Sequence, residues 1–74
     1  ISYELSKGVM VNISIYDLNG NLVTNLLEEG QGAGIRSVQW NATNQAGQSV
    51  SAGVYLYSIE VDGLIETRKM ILLK

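Results

Sequence analysis

Apolar and polar residues alternate along most of the chain, in short runs. Val9, Val11, Ile13 and Ile15 interleave with Met10, Asn12, Ser14 and Tyr16, a period of two that gives an extended strand one face of each kind. Tyr55, Tyr57, Ile59 and Val61 stand in the same way against Leu56, Ser58, Glu60 and Asp62. Ile1, Tyr3 and Leu5 alternate with Ser2 and Glu4, and Val38 and Trp40 with Ser37 and Gln39. Turn chemistry falls between the runs. Asn19-Gly20 and Asp62-Gly63 are hairpin dipeptides, because their residues tolerate positive φ. Ser6-Lys7-Gly8 separates the first two runs, Gly30-Gln31-Gly32-Ala33-Gly34 reads as a flexible loop, and a longer polar loop covers residues 41–49. Strands are predicted at about 1–5, 9–16, 21–27, 35–40, 54–61 and 64–73, with a short extra strand around 48–50. Residues 21–29 also place Leu22, Val23, Leu26 and Leu27 at helical spacing. So short a helix nucleates poorly on its own, and Asn19-Gly20 just before it favours the second arm of a hairpin. Six or seven short strands in this order predict an all-β, two-sheet antiparallel sandwich.

Composition changes this picture mainly by subtraction. The chain has 74 residues and a mass of 8.0 kDa, enough for one small core that buries roughly 60% of the unfolded chain's surface. It contains no Cys and no His, which removes disulfides, thiolate metal sites, the commonest general base and the commonest zinc ligand. A catalytic triad or a Cys–His pair is therefore impossible within it. Five Lys and Arg against seven Asp and Glu give a net charge of −2, too little positive charge for a stripe that tracks phosphates, so nucleic acid is not an expected partner. No apolar run approaches the ~20 residues that cross a bilayer. Asp17, Glu28, Glu29, Glu60 and Asp62 read as solvated edge charges, since paired-carboxylate chemistry needs a cleft that a thin sandwich lacks. Asn12-Ile13-Ser14 and Asn41-Ala42-Thr43 match the N-glycosylation pattern and are assigned no role. These features describe a β-rich accessory domain, expected to be no enzyme and to need no cofactor.

Ile1 is not an initiator residue, and no charged-then-apolar leader precedes it. The expectation is a single domain, residues 1–74, from a longer secreted protein, with a true C-terminus at Lys74.

The order of signals carries a resemblance that covers the whole chain. It runs through Ile1-Ser2-Tyr3-Glu4-Leu5, Tyr16-Asp17-Leu18-Asn19-Gly20, Gly34 leading to Val38-Gln39-Trp40-Asn41, and Asn44-Gln45-Ala46-Gly47. It continues through Ser51-Ala52-Gly53-Val54-Tyr55-Leu56-Tyr57 and Thr67-Arg68-Lys69-Met70. This series resembles the type A C-terminal sorting domain of proteins exported by the type IX (Por) secretion system. It is similar too to the related Ig-like domain of flagellar hook-capping proteins. The resemblance implies an Ig-like β-sandwich at the C-terminus of a secreted protein. Its implied partners are an outer-membrane secretion translocon, a cell-surface sortase-like protease and the upstream domain of its parent. The implied destination is the cell surface or the medium, reached through the periplasm. The basic-flanked apolar end, Arg68, Lys69, Met70, Ile71, Leu72, Leu73 and Lys74, matches the sorting version better than the flagellar one, and these seven are the candidate recognition residues.

Each candidate has a plainer reading. Lys on an edge strand also blocks aggregation, whereas a basic terminal strand read by a receptor uses backbone pairing as well. The residues alone leave both open. The alternative function is a carbohydrate-binding or structural Ig-like accessory module of a secreted polysaccharide-degrading enzyme. Trp40, Tyr55 and Tyr57 suit a sugar-stacking platform, but a Trp between the sheets is the favoured reading. Gly53 marks a positive φ or a close backbone approach. Residues 41–47 have the shape of an oxygen-rich cation loop, with Asn41 and Asn44 where the family commonly carries acids. That lowers the charge available to Ca²⁺ and favours Asx-turns instead.

Overall fold

The computed structural model describes residues 1–73. The alternating runs form six strands: β1 (Ser2–Leu5), β2 (Val9–Tyr16), β3 (Leu22–Gln31), β4 (Gly34–Ser37), β5 (Gly53–Val61) and β6 (Leu64–Leu72). Among the described residues there is no helix. The strands build two antiparallel sheets, one of order β1-β4 and one of order β3-β2-β5-β6. The fold is a small Ig-like β-sandwich: the period-two pattern predicts the two-sheet sandwich, and the resemblance implies its Ig-like form.

The central strand β2 explains the core. Val11, Ile13 and Ile15 are fully buried, on the face that alternation assigned to them. Leu5 of β1 is also buried and clusters with Val11 and Ile13, and Ile1, Tyr3, Val9, Leu26, Leu27, Val38, Ile59 and Val61 pack around that cluster. No described residue of β6 belongs to it. The short sheet therefore covers β2, β3 and β5 and leaves the inner face of β6 open. Tyr3 Oη donates to Gln31 Oε1, tying β1 to the end of β3.

Four local expectations need correction. Val38 and Trp40 alternate with their neighbours, yet β4 stops at Ser37. Beyond it the Val38 N–H still reaches Ile1 O at 2.9 Å, and the chain then turns away to cross to the other sheet. The supposed loop 30–34 shrinks to Gly32 and Ala33, because β3 continues through Glu28, Glu29 and Gly30 paired to Val9–Asn12 partners in β2. The segment at 48–50 contributes one bridge, Thr43 to Ser49, rather than a strand. Finally, Gly20 has positive φ while Asn19 does not. The β2–β3 turn is closed by the Asp17 N–H to Asn21 O at 3.0 Å, and Asp17 Oδ1 accepts the N–H groups of Asn19 and Asn21, both at 2.9 Å. It is an Asx-closed loop with one left-handed glycine.

The β5–β6 turn behaves as its dipeptide suggests. Asp62 and Gly63 lie at φ 53° and 81°, the signs of a type I′ turn whose twist matches the strands it joins. Gly53 resolves in favour of conformation. Its φ is 149°, and a Cβ there would meet nothing within 4 Å.

Candidate functional site

The candidate recognition residues fall on β6 and just past it. β6 is nine residues long, pairs only with β5 among the described residues and forms one end of the four-stranded sheet. Its register with β5 runs unbroken from Val61–Leu64 to Gly53–Leu72. A strand at the end of a sheet presents unpaired N–H and C=O groups along its outer side. Arg68, Met70 and Leu72 stand on the inner face with Leu64 and Glu66, because they pair with the inward-facing side of β5. Lys69 and Ile71 stand on the outer face.

Arg68 and Lys69, adjacent in sequence, thus point to opposite faces and form no common basic patch. Arg68 pairs instead with Glu66, two residues away on the same face, and both side chains remain more than 60% exposed. An ion pair this open adds little to stability. Met70 and Leu72 are half-buried, whereas Ile71 is 67% exposed and Leu73, beyond the strand, 84%. Leu64 and Ile65 at the other end are also exposed. Lys74 lies outside the described residues. The strand is therefore apolar at both ends, charged in the middle and exposed except at Met70 and Leu72.

Beside it the sandwich mouth is open. A cavity of about 570 Å³ lies between the β1–β2 turn and the β5–β6 hairpin, floored by Leu5, Val9, Ile59 and Val61. Lys7 Nζ and Asp62 Oδ2 meet across its rim at 3.3 Å, both well exposed.

Trp40 and Tyr55 do not make a flat platform together. Trp40 is half-buried in the loop after β4, outside the core cluster, which corrects its expected place between the sheets. Its Nε1 donates to Thr43 O at 2.9 Å. Its ring meets that of Tyr55 edge-to-face, with centroids 5.1 Å apart and planes at 75°. Rings at that angle offer no flat surface to a sugar. The loop it anchors closes on itself: Asn44 Oδ1 accepts the N–H of Ala46 at 3.0 Å and of Gln48 at 2.9 Å. This is the Asx geometry favoured for residues 41–47.

Sequence reasoning missed one polar cluster. Ser14 is buried although it sits on the outer face of β2. Asn25 Nδ2 donates to Asn12 Oδ1 at 2.7 Å and to Ser14 Oγ at 3.1 Å. The register slips between Ile13 and Ser14, a β-bulge that brings Asn25 opposite Ser14. Alternation carries no signal for a bulge, so this clamp was not legible.

A family model for the FlgD Ig-like domain matches residues 1–63. The chain belongs to that family. The matched span ends at Gly63, in the turn before β6. No curated protein and no solved structure matches the chain. As a FlgD Ig-like domain it combines a covered core around β2 with a last strand, β6, that lies outside that core.

Proposed function

We propose that this FlgD-type Ig-like domain is a non-catalytic C-terminal signal that directs its parent protein through the type IX secretion system. The cargo passes from the periplasm to the cell surface or medium. In this reading β6 and the residues after it, from Arg68 to Lys74, are what the outer-membrane translocon recognises. A sortase-like protease at the cell surface then acts on the delivered protein, and the upstream domain carries whatever activity the parent has.

The observation that carries the reading is the form of β6. It is long, regular and open along its outer edge, with exposed charges at its centre flanked by exposed apolar residues. Strand addition supplies affinity through the backbone and specificity through alternate side chains. The resemblance of the terminal residues to the sorting domain points to the same strand. That strand lies outside the span the family model matches, so the family by itself assigns it no role.

The experiment is a fusion of residues 1–74 behind a reporter with a periplasmic export signal, in a host with the type IX system. The reporter reaches the surface with the domain and stays periplasmic without it. Periplasmic retention of the intact fusion refutes the sorting role. Lys69→Glu with Lys74→Glu then tests the basic residues alone, because charges at the rim of an interface govern encounter and specificity more than folding.

A further inference from the structure

The geometry points to a second copy of this chain as a partner of the β6 edge, joined antiparallel about a twofold axis through Thr67. The inference does not rest on the sorting role, but it uses the same open edge, so a dimer and a receptor compete for β6.

The argument begins with the turn. A two-residue type I′ loop makes Val61 and Leu64 the hydrogen-bonded pair that closes the hairpin. Bonding then alternates along the ladder. Glu66 and Arg68 direct their backbone groups to β5, while Ile65, Thr67 and Lys69 direct theirs to the open edge. A second β6 can therefore dock with Thr67 opposite Thr67 as a hydrogen-bonded pair and Ile65 opposite Lys69 as the next.

Charge selects that register among its neighbours. A twofold axis normal to the sheet keeps inner faces together, so successive registers centre on Glu66, Thr67, Arg68 or Lys69. Three of these put a charge directly against its own copy, which is unfavourable. Centring on Thr67 puts Glu66 against Arg68 of the other copy, twice. These fall in non-hydrogen-bonded positions, where side chains lie closest. The same register sets Leu64 against Met70 and lays the Lys69 stem along Ile65. The intrachain Glu66–Arg68 pair thereby grows into a ring of four alternating charges. The outer edge is unpaired among the described residues, since β6 is bonded to β5 alone and the short sheet lies over β2, β3 and β5. The product is one continuous eight-stranded sheet.

The test is sedimentation equilibrium of the 74-residue chain, with each variant's fold checked by its amide spectrum. The wild type sediments as a reversible dimer at twice 8.0 kDa. Thr67→Pro removes an outward N–H and no bond to β5, and leaves a folded monomer. Glu66→Arg sets like charges across the interface and raises the dissociation constant about tenfold or more. Adding Arg68→Glu restores alternation with the signs exchanged and returns the constant to within about threefold of wild type. The charge series decides the matter even if Thr67→Pro does not fold. A chain that stays monomeric up to about 1 mM overturns the proposal. So does a dimer indifferent to Glu66→Arg, or one that the second substitution fails to restore.

Discussion

The two ends of the four-stranded sheet are built differently. At one end, β3 is broken by register slips between Ile13 and Ser14 and between Ile15 and Tyr16 of its partner strand. Its outer side is also covered. Gln45, from the loop after β4, accepts from Thr24 Oγ1 at 3.0 Å and from the Asn25 N–H at 2.9 Å, and its own N–H reaches Val23 O at 2.9 Å. Bulges and a covering loop are two of the devices by which β-proteins close an edge. At the other end, β6 has neither: its register is unbroken, and β5 is its only paired strand among the described residues. Within one small sheet the chain closes one edge with local chemistry and leaves the other regular. The open edge is therefore where the proposed recognition surface lies.

The largest effect should come from the core on which both edges rest. Ile13→Ala, at a fully buried position, should cost about 2–5 kcal/mol, a large part of what a domain this small commands. Chemical denaturation would read the loss. A midpoint close to wild type would mean that β2 is not the common support of β3 and β6.

Asn25→Ala separates the two ends. It leaves the buried Ser14 hydroxyl without its clamp and should cost about 1–3 kcal/mol. Amide exchange should speed up along β3 and stay unchanged in β6. Equal acceleration in both strands would show that the bulge does not serve the β3 edge alone.

Trp40→Ala acts on the same edge at one remove. The half-buried ring and its bond to Thr43 O hold the loop that delivers Gln45. Burial this partial points to about 1–2 kcal/mol, less than a core Trp would give. Protection should fall at Asn25, whose N–H meets Gln45. A loss as large as that of Ile13→Ala would return Trp40 to the core.

How much of this was legible follows from what alternation encodes. Val11, Ile13 and Ile15 were readable because a period of two names the buried face directly. The separation of Arg68 from Lys69 was readable for the same reason. Strand limits were less so: Glu28 and Glu29 lie on an exposed stretch of β3, where nothing apolar marks the pattern. Val38 and Trp40 alternate only because a crossing loop happens to set an apolar residue at every second position. The order of strands was invisible, since the pattern within β6 does not say that its far side has no neighbour. The Asn25 clamp and the Gln45 cover were hidden too, as each depends on residues brought together from distant parts of the chain.

The smallest effect on folding and the most direct bearing on the proposed role come from exposed charges. Lys69→Glu at the open edge and Gln45→Ala at the closed edge should each change stability little, by about 0.5 kcal/mol for the exposed charge and up to about 1.5 kcal/mol for the lost hydrogen bonds. Surface export of a reporter fused to the wild-type domain and to each variant tests the central claim that recognition belongs to the open edge. The wild-type and Gln45→Ala fusions should reach the cell surface alike, while the Lys69→Glu fusion, folded as before, should accumulate in the periplasm. Full export of Lys69→Glu together with retention of Gln45→Ala would contradict the account and move recognition to the β3 edge.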